Sequence, residues 1–351
     1  MPLKLPFLAR PDKRFPAPAD FGYVEVRGGE SRIVCVPSLA GKIVEMSLAG
    51  RQWLWHSDVI PFAPPQEGAS YAETADSGGY DECFPTVAAC RVPGWVRAWG
   101  GLELPDHGEL WSQVPEMEIE TGIDGQAIVT TWEGRRLPYR LTRIARVSPD
   151  GSVVMTYHAA NDSSDRVPFI WSAHPLFPLT PQTQLLLPEG APMRVYASHR
   201  VVMGDARSLH HWPFVRAAGR VLDFLTPYTV AKEYACKLFV DLPAGRGRAR
   251  LREGHLELEV TFDTREVGQF GLWINKGGWS PFKRERPYCN LGFEPCVGAP
   301  DTLSDALGDW KRAQWLDPGQ VRSWSITWRG NFVPPDPEDG GLGRKEPSVD
   351  S

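Results

Sequence analysis

The chain has 351 residues, of which 42% are hydrophobic and 23% charged, a balance that favours a large buried core and excludes a mainly disordered protein. Its formal net charge is -5, from 38 basic and 43 acidic residues, so we expect no general attraction to nucleic acid or to an anionic membrane. The N-terminus lacks the apolar core of a signal peptide, and no apolar run approaches the roughly 20 residues of a membrane helix, so we expect a cytoplasmic protein.

The predicted elements are almost all strands. Apolar and polar residues alternate around Met117 and Ile119, and then in residues 153–157, 256–262 and 324–328. A period of two is typical of strands with one buried face. Glycine (34 residues) and proline (33 residues) occur throughout the chain, which favours many short strands. These patterns predict an all-β protein built as a sandwich or a barrel.

One helix is predicted, over residues 300–316, because Leu303, Leu307 and Trp310 share a face at helical spacing. No repeat or linker divides the chain, so residues 21–333 are predicted to form a single domain. Residues 1–20 are predicted to form an extended N-terminal arm. The tail, residues 334–351, is rich in proline, glycine and charge and is predicted to be disordered.

Several common functional motifs are missing from the sequence. It contains no Walker A loop, no G-x-G-x-x-G, no H-E-x-x-H and no G-x-S-x-G. The six cysteines are sparse and widely spaced, which favours buried free thiols over a disulfide scaffold or a metal site. A run of alternating arginines, residues 246–252, is interpreted as a solvated strand face, with an anion-binding patch as the alternative.

Three segments carry candidate chemistry: LPDHGELW with His107, WSAHPLFPL with His174, and NLGFEPCVGAPD with Glu294. Each places an ionisable side chain at the end of an apolar run and beside turn residues, where a strand can open onto a cleft. Apolar neighbours tend to raise the proton affinity of Glu294 and to lower that of His174. A carboxylate and an imidazole in one pocket would form an acid–base pair. From spacing alone, the alternative that each side chain is only hydrogen-bonded in place stays open.

In this order, the three segments resemble motifs of the aldose 1-epimerase (galactose mutarotase) superfamily. HPLFPL is similar to a family motif of the type His-Pro-Tyr-Phe-Asn-Leu, GFEPCVGAPD to the late Glu-Pro motif, and DHGELW to the early His-Gly motif. The closing LDPGQVRSWSITWR is similar to the family's final strand, and the likeness runs from about Phe21 to Arg329. HPLFPL lacks the usual Tyr and Asn, and HGELW replaces His-Gly-Gly, so the sequence resembles a divergent branch. The resemblance implies a large antiparallel β-sandwich, the galactose mutarotase-like supersandwich.

The resemblance also implies roles for particular residues. Glu294 would be the catalytic base, His174 the catalytic proton donor, and His107 a sugar contact. Arg91 stands where the family often has a sugar-binding arginine, with a surface salt bridge as the alternative. The resemblance implies no metal and no organic cofactor.

Further sugar-binding residues are predicted from residue type. Trp273 and Asn275, in WINKGGW, are candidates because sugars stack C–H faces on indole rings and bind amides through their hydroxyls. Lys237, in the strand YACKLFV, is predicted either to reach an anionic sugar substituent or to be exposed on the other strand face.

The predicted function is that of an aldose 1-epimerase-like isomerase, which interconverts the α and β anomers of a monosaccharide or sugar derivative and acts as a monomer or homodimer. One alternative is a non-catalytic carbohydrate-binding protein on the same fold. Another is a glycoside-cleaving enzyme, which needs two carboxylates about 5–10 Å apart. Asp106, Glu109 and Glu294 are the candidates for that pair.

Overall fold

Strands dominate the secondary structure. The computed structural model describes residues 18–66, 68–205, 208–282 and 289–334. Within these ranges there are two short α-helices, α1 (Tyr71–Thr74) and α2 (Leu303–Leu307). Short 3-10 helices occur at Pro18–Phe21, Pro37–Leu39, Leu110–Ser112 and Pro227–Thr229.

Twenty-five strands follow one another in the described ranges. In chain order, the first twelve are β1 (Val24–Gly28), β2 (Ser31–Val36), β3 (Lys42–Leu48), β4 (Arg51–Gln52), β5 (Tyr80–Cys83), β6 (Cys90–Arg91), β7 (Glu103–Leu104), β8 (Glu116–Gly122), β9 (Gly125–Glu133), β10 (Tyr139–Val147), β11 (Val153–Asn161) and β12 (Val167–Phe169). The others are β13 (Trp171–Pro178), β14 (Thr183–Leu186), β15 (Pro192–His199), β16 (Leu209–His211), β17 (Phe214–Ala217), β18 (Arg220–Asp223), β19 (Tyr234–Asp241), β20 (Arg246–Glu253), β21 (Leu256–Asp263), β22 (Gln269–Lys276), β23 (Cys289–Val297), β24 (Gln314–Leu316) and β25 (Val321–Phe332).

Two large antiparallel sheets form the sandwich. The first has 13 strands in the order β1-β2-β3-β5-β13-β23-β22-β19-β15-β16-β17-β18, with β4 paired to β3. The second has eight strands in the order β14-β20-β21-β25-β11-β10-β9-β8. Two-stranded ladders, β12-β24 and β6-β7, complete the pairing among the described residues. The predicted all-β antiparallel sandwich is therefore confirmed.

The core lies between the two large sheets, where alternate side chains of each strand meet. Trp171 of the first sheet packs against Trp324 of the second, with ring centroids 5.2 Å apart. The hydroxyls of Tyr80 and Tyr157 hydrogen-bond across the same gap at 3.0 Å. The predicted alternation in 153–157 and 324–328 is confirmed, because the apolar members of both segments are buried.

The same alternation turns ionisable residues of the first sheet away from this core. Trp171 and Phe293 point inward, so the residues of β13 and β23 one or three positions away, His174 and Glu294, point to the opposite face. On β5, Glu82 points inward and bonds Trp171, so Asp81 points outward. The outer face of β5, β13 and β23 therefore carries the chemistry predicted from the motifs.

The predicted helix over residues 300–316 is wrong in extent. Helix α2 covers only Leu303–Leu307, capped at its start by the Thr302 side chain, which accepts a hydrogen bond from the Asp305 amide at 3.2 Å. It ends at Gly308, and the chain then turns into β24, which pairs with β12. The pairing of residues 314–316 with a distant strand is a long-range interaction that the local periodicity does not reveal.

Strand β8 exists as predicted, and Met117 packs partly buried against the core, but Ile119 on the same expected face is exposed. Ile119 is 54% exposed, because β8 is the outermost strand of the second sheet and extends beyond the core. The arginine run on β20 alternates as interpreted, and its side chains pair with Glu257 and Glu259 of β21. It is therefore a solvated strand face, on which Arg248, Arg250 and Arg252 pair with two glutamates of the neighbouring strand.

The predicted arm and tail fall largely outside the described residues, which begin at residue 18 and end at residue 334. The single domain over residues 21–333 stays a prediction, although one hydrophobic cluster runs from Val26 to Trp328. Among the described residues, no helix has the length and apolar character needed to cross a membrane. The cytoplasmic location and the oligomeric state stay predictions.

Candidate functional site

A cleft of about 190 Å³ opens on the outer face of the 13-stranded sheet. Strands β13, β19 and β22 form its floor, and the segments that follow α1, β5, β7, β22 and β23 form its walls. The lining residues are Ala72, Asp76, Val87, Ala88, Asp106, His107, His174, Leu176, Lys237, Trp273, Trp279 and Asp301. This volume is smaller than that of a typical drug-sized pocket.

His107 is held at the cleft by an unusual backbone conformation. Its φ is +58°, in the left-handed region, and it is followed by Gly108 with φ +70°. A Cβ on residue 108 would overlap the Phe84 carbonyl, so only glycine allows this approach. The imidazole stacks on the Tyr71 ring, with centroids 3.7 Å apart. The Asp-His-Gly segment thus fixes the position of one histidine in the pocket.

The two histidines predicted from the motifs meet in the cleft. The rings of His107 and His174 lie edge to face, with centroids 5.1 Å apart and planes at 85°. His174 is 6% exposed, and its Nδ1 is buried without a hydrogen-bond partner among the described residues. His107 Nδ1 lies 3.0 Å from Oδ2 of Asp106.

The surroundings shift the pKa values of the two imidazoles in opposite directions. Burial, followed by the charges of His107, Lys237 and Lys42, holds the pKa of His174 well below its usual value. Burial would also lower the pKa of His107, but Asp106, Asp76 and Asp301 outweigh it, so this pKa is raised. At neutral pH, His174 is a neutral imidazole, whereas the surroundings of His107 favour its protonated form.

Glu294 lies directly beneath the cleft and is fully buried. Its Oε2 is 2.5 Å from Nζ of Lys237 and 3.2 Å from the Ser172 hydroxyl, which donates to it. Its Oε1 lies over Gly292, where a Cβ would overlap it, and has no partner among the described residues. Glu294 is not one of the described residues that line the cleft, whereas its partner Lys237 is.

Lys237 corrects one alternative from the sequence, since it is 4% exposed and does not lie on a solvated strand face. Its ammonium bridges Glu294 and Asp301, whose Oδ1 is 3.2 Å away. Burial alone would lower the pKa of Lys237, but Asp301 and Glu294 outweigh it, so the pKa is raised and the ammonium stays charged. Burial raises the pKa of Asp301, with Lys237 opposing this shift.

A second buried ion pair supports the wall behind His174. Nζ of Lys42 lies 2.6 Å from Oδ2 of Asp81 and also donates to the carbonyls of Ala75 and Gly78. The Tyr71 hydroxyl donates to the same Asp81 oxygen at 2.8 Å. This hydrogen bond fixes the position of Tyr71, whose ring stacks on His107.

An aromatic corner forms the far side of the cleft. The Trp273 and Trp279 rings meet edge to face, with centroids 5.8 Å apart, and both line the opening. Asn275 does not line it. The Asn275 side chain is fully buried, donates to the Trp279 carbonyl at 3.0 Å and accepts from the Gly278 amide at 3.1 Å. The predicted sugar contact at Asn275 is therefore not supported, since its polar atoms hold the turn that presents Trp279.

Arg91 is also away from the cleft. It lies on the exposed β6–β7 ladder, where its guanidinium pairs with Glu103, and it is not among the lining residues. The structure thus gives it the alternative role considered from the sequence, a surface salt bridge. Five of the seven predicted residues, namely Glu294, His174, His107, Trp273 and Lys237, lie in or directly beneath one cleft.

Sequence reasoning missed several residues that shape the site. Asp301 closes the GFEPCVGAPD segment, and a charged residue just after a Gly-Ala-Pro turn was a usable signal. Lys42 is the first residue of an apolar strand, and this position is a weaker signal of a functional role. Among the described residues, no cluster of three or more His, Cys, Asp or Glu side chains has the arrangement of a metal site.

The chain matches no protein-family model, and no curated protein matches its sequence. Solved structures do share its fold. The Slr1438 protein of Synechocystis sp. PCC 6803 has a TM-score of 0.64 at 17% identity, over 89% of this chain and 96% of the other. A candidate aldose 1-epimerase of Escherichia coli K12 has a TM-score of 0.61 at 16% identity, over 89% and 99%. A galactose mutarotase related enzyme of Lactobacillus acidophilus has a TM-score of 0.60 at 12% identity, over 90% and 99%. What these proteins share with this chain is the fold.

Proposed function

We propose that this chain, a galactose mutarotase-like sandwich, binds a sugar in the cleft of His107 and His174 and interconverts its α and β anomers. The observation that carries the proposal is the meeting of these two imidazoles, 5.1 Å apart, in a small cleft with tryptophan on its wall. The carboxylates of Asp76, Asp106 and Asp301 line the same cleft, and that of Glu294 lies directly beneath it.

The reaction requires two proton transfers. A base removes the proton of the anomeric hydroxyl, and an acid supplies a proton to the ring oxygen, so that the ring opens to an aldehyde and then closes on either face. The roles expected from the resemblance are Glu294 as the base and His174 as the acid. Each correctly placed group of this kind contributes about 10²–10⁴-fold to the rate.

The walls of the cleft suit a sugar ring. The indoles of Trp273 and Trp279 offer apolar faces for C–H groups, and the charged side chains around them offer partners for hydroxyls. Because Lys237 is already neutralised by Glu294 and Asp301, it does not by itself favour an anionic substituent.

The test is exchange NMR on a panel of pentoses and hexoses, together with their phosphorylated, acidic and amino derivatives. The proposal predicts that catalytic amounts of protein speed the exchange between α and β anomeric signals of at least one sugar. A His174→Gln variant should bind the same sugar and lose most of this acceleration. Acceleration unchanged in that variant would contradict the proposal.

A non-catalytic carbohydrate-binding protein is the second candidate. It is favoured by one observation: Glu294 is sealed from the cleft and held by an ammonium 2.5 Å away. Saturation transfer from protein to a sugar, with no change in anomer exchange at any pH, would identify this function. Release of reducing sugar from a glycoside would instead identify a glycoside-cleaving enzyme.

A further inference from the structure

We propose that this cleft selects its sugar by charge, so that it takes an amino sugar in the ammonium form and rejects phosphorylated and acidic sugars. The residues that set this preference are Asp76, Asp106 and Asp301, whose side chains line the cleft. The inference rests on the proposed function and names the class of its substrate. Anomer exchange itself requires a free anomeric hydroxyl and leaves the other substituents of the sugar open.

The three carboxylates reach the cleft from three separate segments of the chain. Asp76 follows α1, Asp106 follows β7 and Asp301 follows β23. Burial lowers the pKa of His107, but the charges of all three aspartates raise it, so each of them lies close to this ring. Burial raises the pKa of Asp301, and the charge of Glu294 beneath the cleft raises it further, against the opposing charge of Lys237. Four carboxylates therefore surround one small volume.

The cations of the cleft are fewer than its carboxylates, and each has a carboxylate partner. Among the described lining residues there is no arginine, and the groups that carry positive charge are Lys237 and a protonated His107. The Lys237 ammonium lies 2.5 Å from Oε2 of Glu294 and 3.2 Å from Oδ1 of Asp301. Nδ1 of His107 lies 3.0 Å from Oδ2 of Asp106. A sugar phosphate would have to compete with these carboxylates for either cation.

The charge that remains in the cleft is negative. The four carboxylates exceed the two cations by two, and the buried pair of Lys42 with Asp81 behind His174 adds no net charge. Charges in a cleft walled by protein interact more strongly than they do in water. The excess therefore attracts an ammonium group and repels a phosphate or a carboxylate.

Two polar atoms without partners show what kind of ligand group the cleft can satisfy. His174 lines the cleft and is 6% exposed, and its Nδ1 has no hydrogen-bond partner among the described residues. Oε1 of Glu294, beneath the cleft, also has none among them. Buried polar atoms of this kind are costly unless a partner is supplied. An ammonium group carries three donors and no acceptor, which suits carboxylate oxygens, whereas the oxygens of a phosphate dianion only accept.

The main chain holds Asp301 in position. Its carbonyl accepts hydrogen bonds from the amides of Val87 and Ala88, at 2.8 and 2.7 Å, and both of these residues line the cleft. The Thr86 hydroxyl donates to the same carbonyl at 3.2 Å. The Asp301 side chain is 14% exposed. A carboxylate on a backbone held in this way has little freedom to turn away from an anionic ligand, so the repulsion persists when the ligand enters.

The experiment measures dissociation constants and anomer-exchange rates for sugars that share one ring and differ in one substituent. The set is glucose, its 2-amino-2-deoxy and 6-amino-6-deoxy derivatives, glucose 6-phosphate and glucuronate, together with the corresponding galactose series. In wild type, the better amino derivative should bind about tenfold or more tightly than the neutral parent. The phosphate and the uronate should bind about tenfold or more weakly than that parent.

Asp301→Asn tests the source of this order. It removes one of the two excess negative charges, keeps the shape of the side chain and leaves Lys237 paired with Glu294. The ratio of affinities between the amino and the phosphorylated derivative should fall about tenfold. Asp162→Asn is the matched control, since it removes an exposed carboxylate paired with Arg140 on the other sheet and should leave the ratio unchanged. The order of affinities in wild type tests the proposal even where Asp301→Asn fails to fold.

A phosphorylated or acidic sugar that binds as tightly as its neutral parent overturns this proposal. So do amino derivatives that bind no more tightly than the parent at either position, and so does an unchanged ratio in a folded Asp301→Asn. In each case acceleration of anomer exchange by wild type would leave the proposed function standing. The expected order of affinities without any acceleration would instead support the charge selection and overturn the proposed isomerase activity.

Discussion

The imidazoles of His107 and His174 lie edge to face 5.1 Å apart, and their surroundings move their pKa values in opposite directions. Two titratable groups of one pocket whose pKa values are shifted in opposite directions are typical of an acid and a base in catalysis. Their difference arises from the neighbours that each ring meets. Asp106 touches one ring, and Lys237 and Lys42 face the other.

Substitution of His174 should separate binding from turnover. His174→Gln keeps a polar side chain of similar length but cannot accept and return a proton as imidazole does. We expect the accelerated anomer-exchange rate to fall about 10²–10⁴-fold. Sugar affinity, measured by saturation transfer or calorimetry, should change by less than about tenfold. A parallel loss of affinity and rate would indicate that His174 only holds the ligand.

The linkage of His174 to stability has a defined sign. Because its pKa is lower in the folded protein than in the unfolded chain, its contribution to stability is present above a pH of about 6.5 and is lost as pH falls through the folded pKa. The free energy of unfolding of wild type should therefore decrease relative to His174→Gln as the solution is acidified. Denaturant titrations of both proteins from neutral to acid pH measure this difference. A difference that does not vary with pH would contradict the assigned shift.

Removal of the Lys237 ammonium alone should lower the free energy of unfolding more than removal of both Lys237 and the charge of Glu294. Lys237→Met leaves Glu294 and Asp301 without their shared cation, and breaking a buried pair in this way costs about 3–5 kcal/mol. The double variant Lys237→Met/Glu294→Gln removes one of the two stranded charges and should recover part of this loss. Urea unfolding of the wild type and of the single and double variants gives the coupling energy. A single variant as stable as wild type would show that the pair does not form.

Gly292 should resist substitution because of the carboxylate that lies over it. A Cβ at this position overlaps Oε1 of Glu294, so Gly292→Ala forces buried side chains to shift, and the expected loss is about 1–3 kcal/mol. Gly122→Ala is the matched control, since it lies on the exposed strand β8 with no atom within 4 Å of the added Cβ. The control should be neutral in thermal unfolding. Equal behaviour of the two variants would contradict the packing.

The carboxylate of Glu82, which lies between the two sheets, predicts a second pH effect on stability that is independent of His174. Burial raises the pKa of Glu82 to about 7, with Arg143, Tyr157 and Trp171 opposing the shift. Its folded pKa exceeds its unfolded value, so its stabilising contribution is complete below a pH of about 4.5 and is lost as pH rises towards 7. Wild type should lose about 3 kcal/mol relative to Glu82→Gln over this range. Parallel stability curves for the two proteins would show that this shift is absent.

The alternation with period two predicted an all-β sandwich or barrel, and the resemblance to the superfamily implied the sandwich. Burial did not follow from local pattern at the sheet edge, where Ile119 is exposed. The sequence motifs also predicted that His107, His174 and Glu294 converge; in the structure the two imidazoles meet in the cleft, and Glu294 is buried beneath it in contact with Lys237. Local pattern did not predict which side chains pair with one another in the site. The contact of Lys237 with Glu294 joins strands 57 residues apart, and only the register of β19, β22 and β23 creates it.

Other misses have similar physical causes. Asn275 and Trp273 stand two residues apart in one strand, yet only Trp273 lines the cleft, because the Asn275 amide is used by the turn at Gly278. Arg91 was placed by motif position, whereas its side chain is directed by Glu103 on the neighbouring strand of a two-stranded ladder. Residues 300–316 were predicted to be helical, but pairing with β12 makes their end a strand.

The most direct test is exchange NMR of an anomeric mixture with wild type and with the double variant His107→Gln/His174→Gln, at equal protein concentration and near neutral pH. We expect wild type to transfer magnetisation between the α and β anomeric protons far faster than buffer alone, and the double variant to fall to the buffer rate while its far-ultraviolet circular dichroism stays that of a folded β protein. A double variant that still exchanges the anomers at the wild-type rate would show that the chemistry does not take place between these two imidazoles.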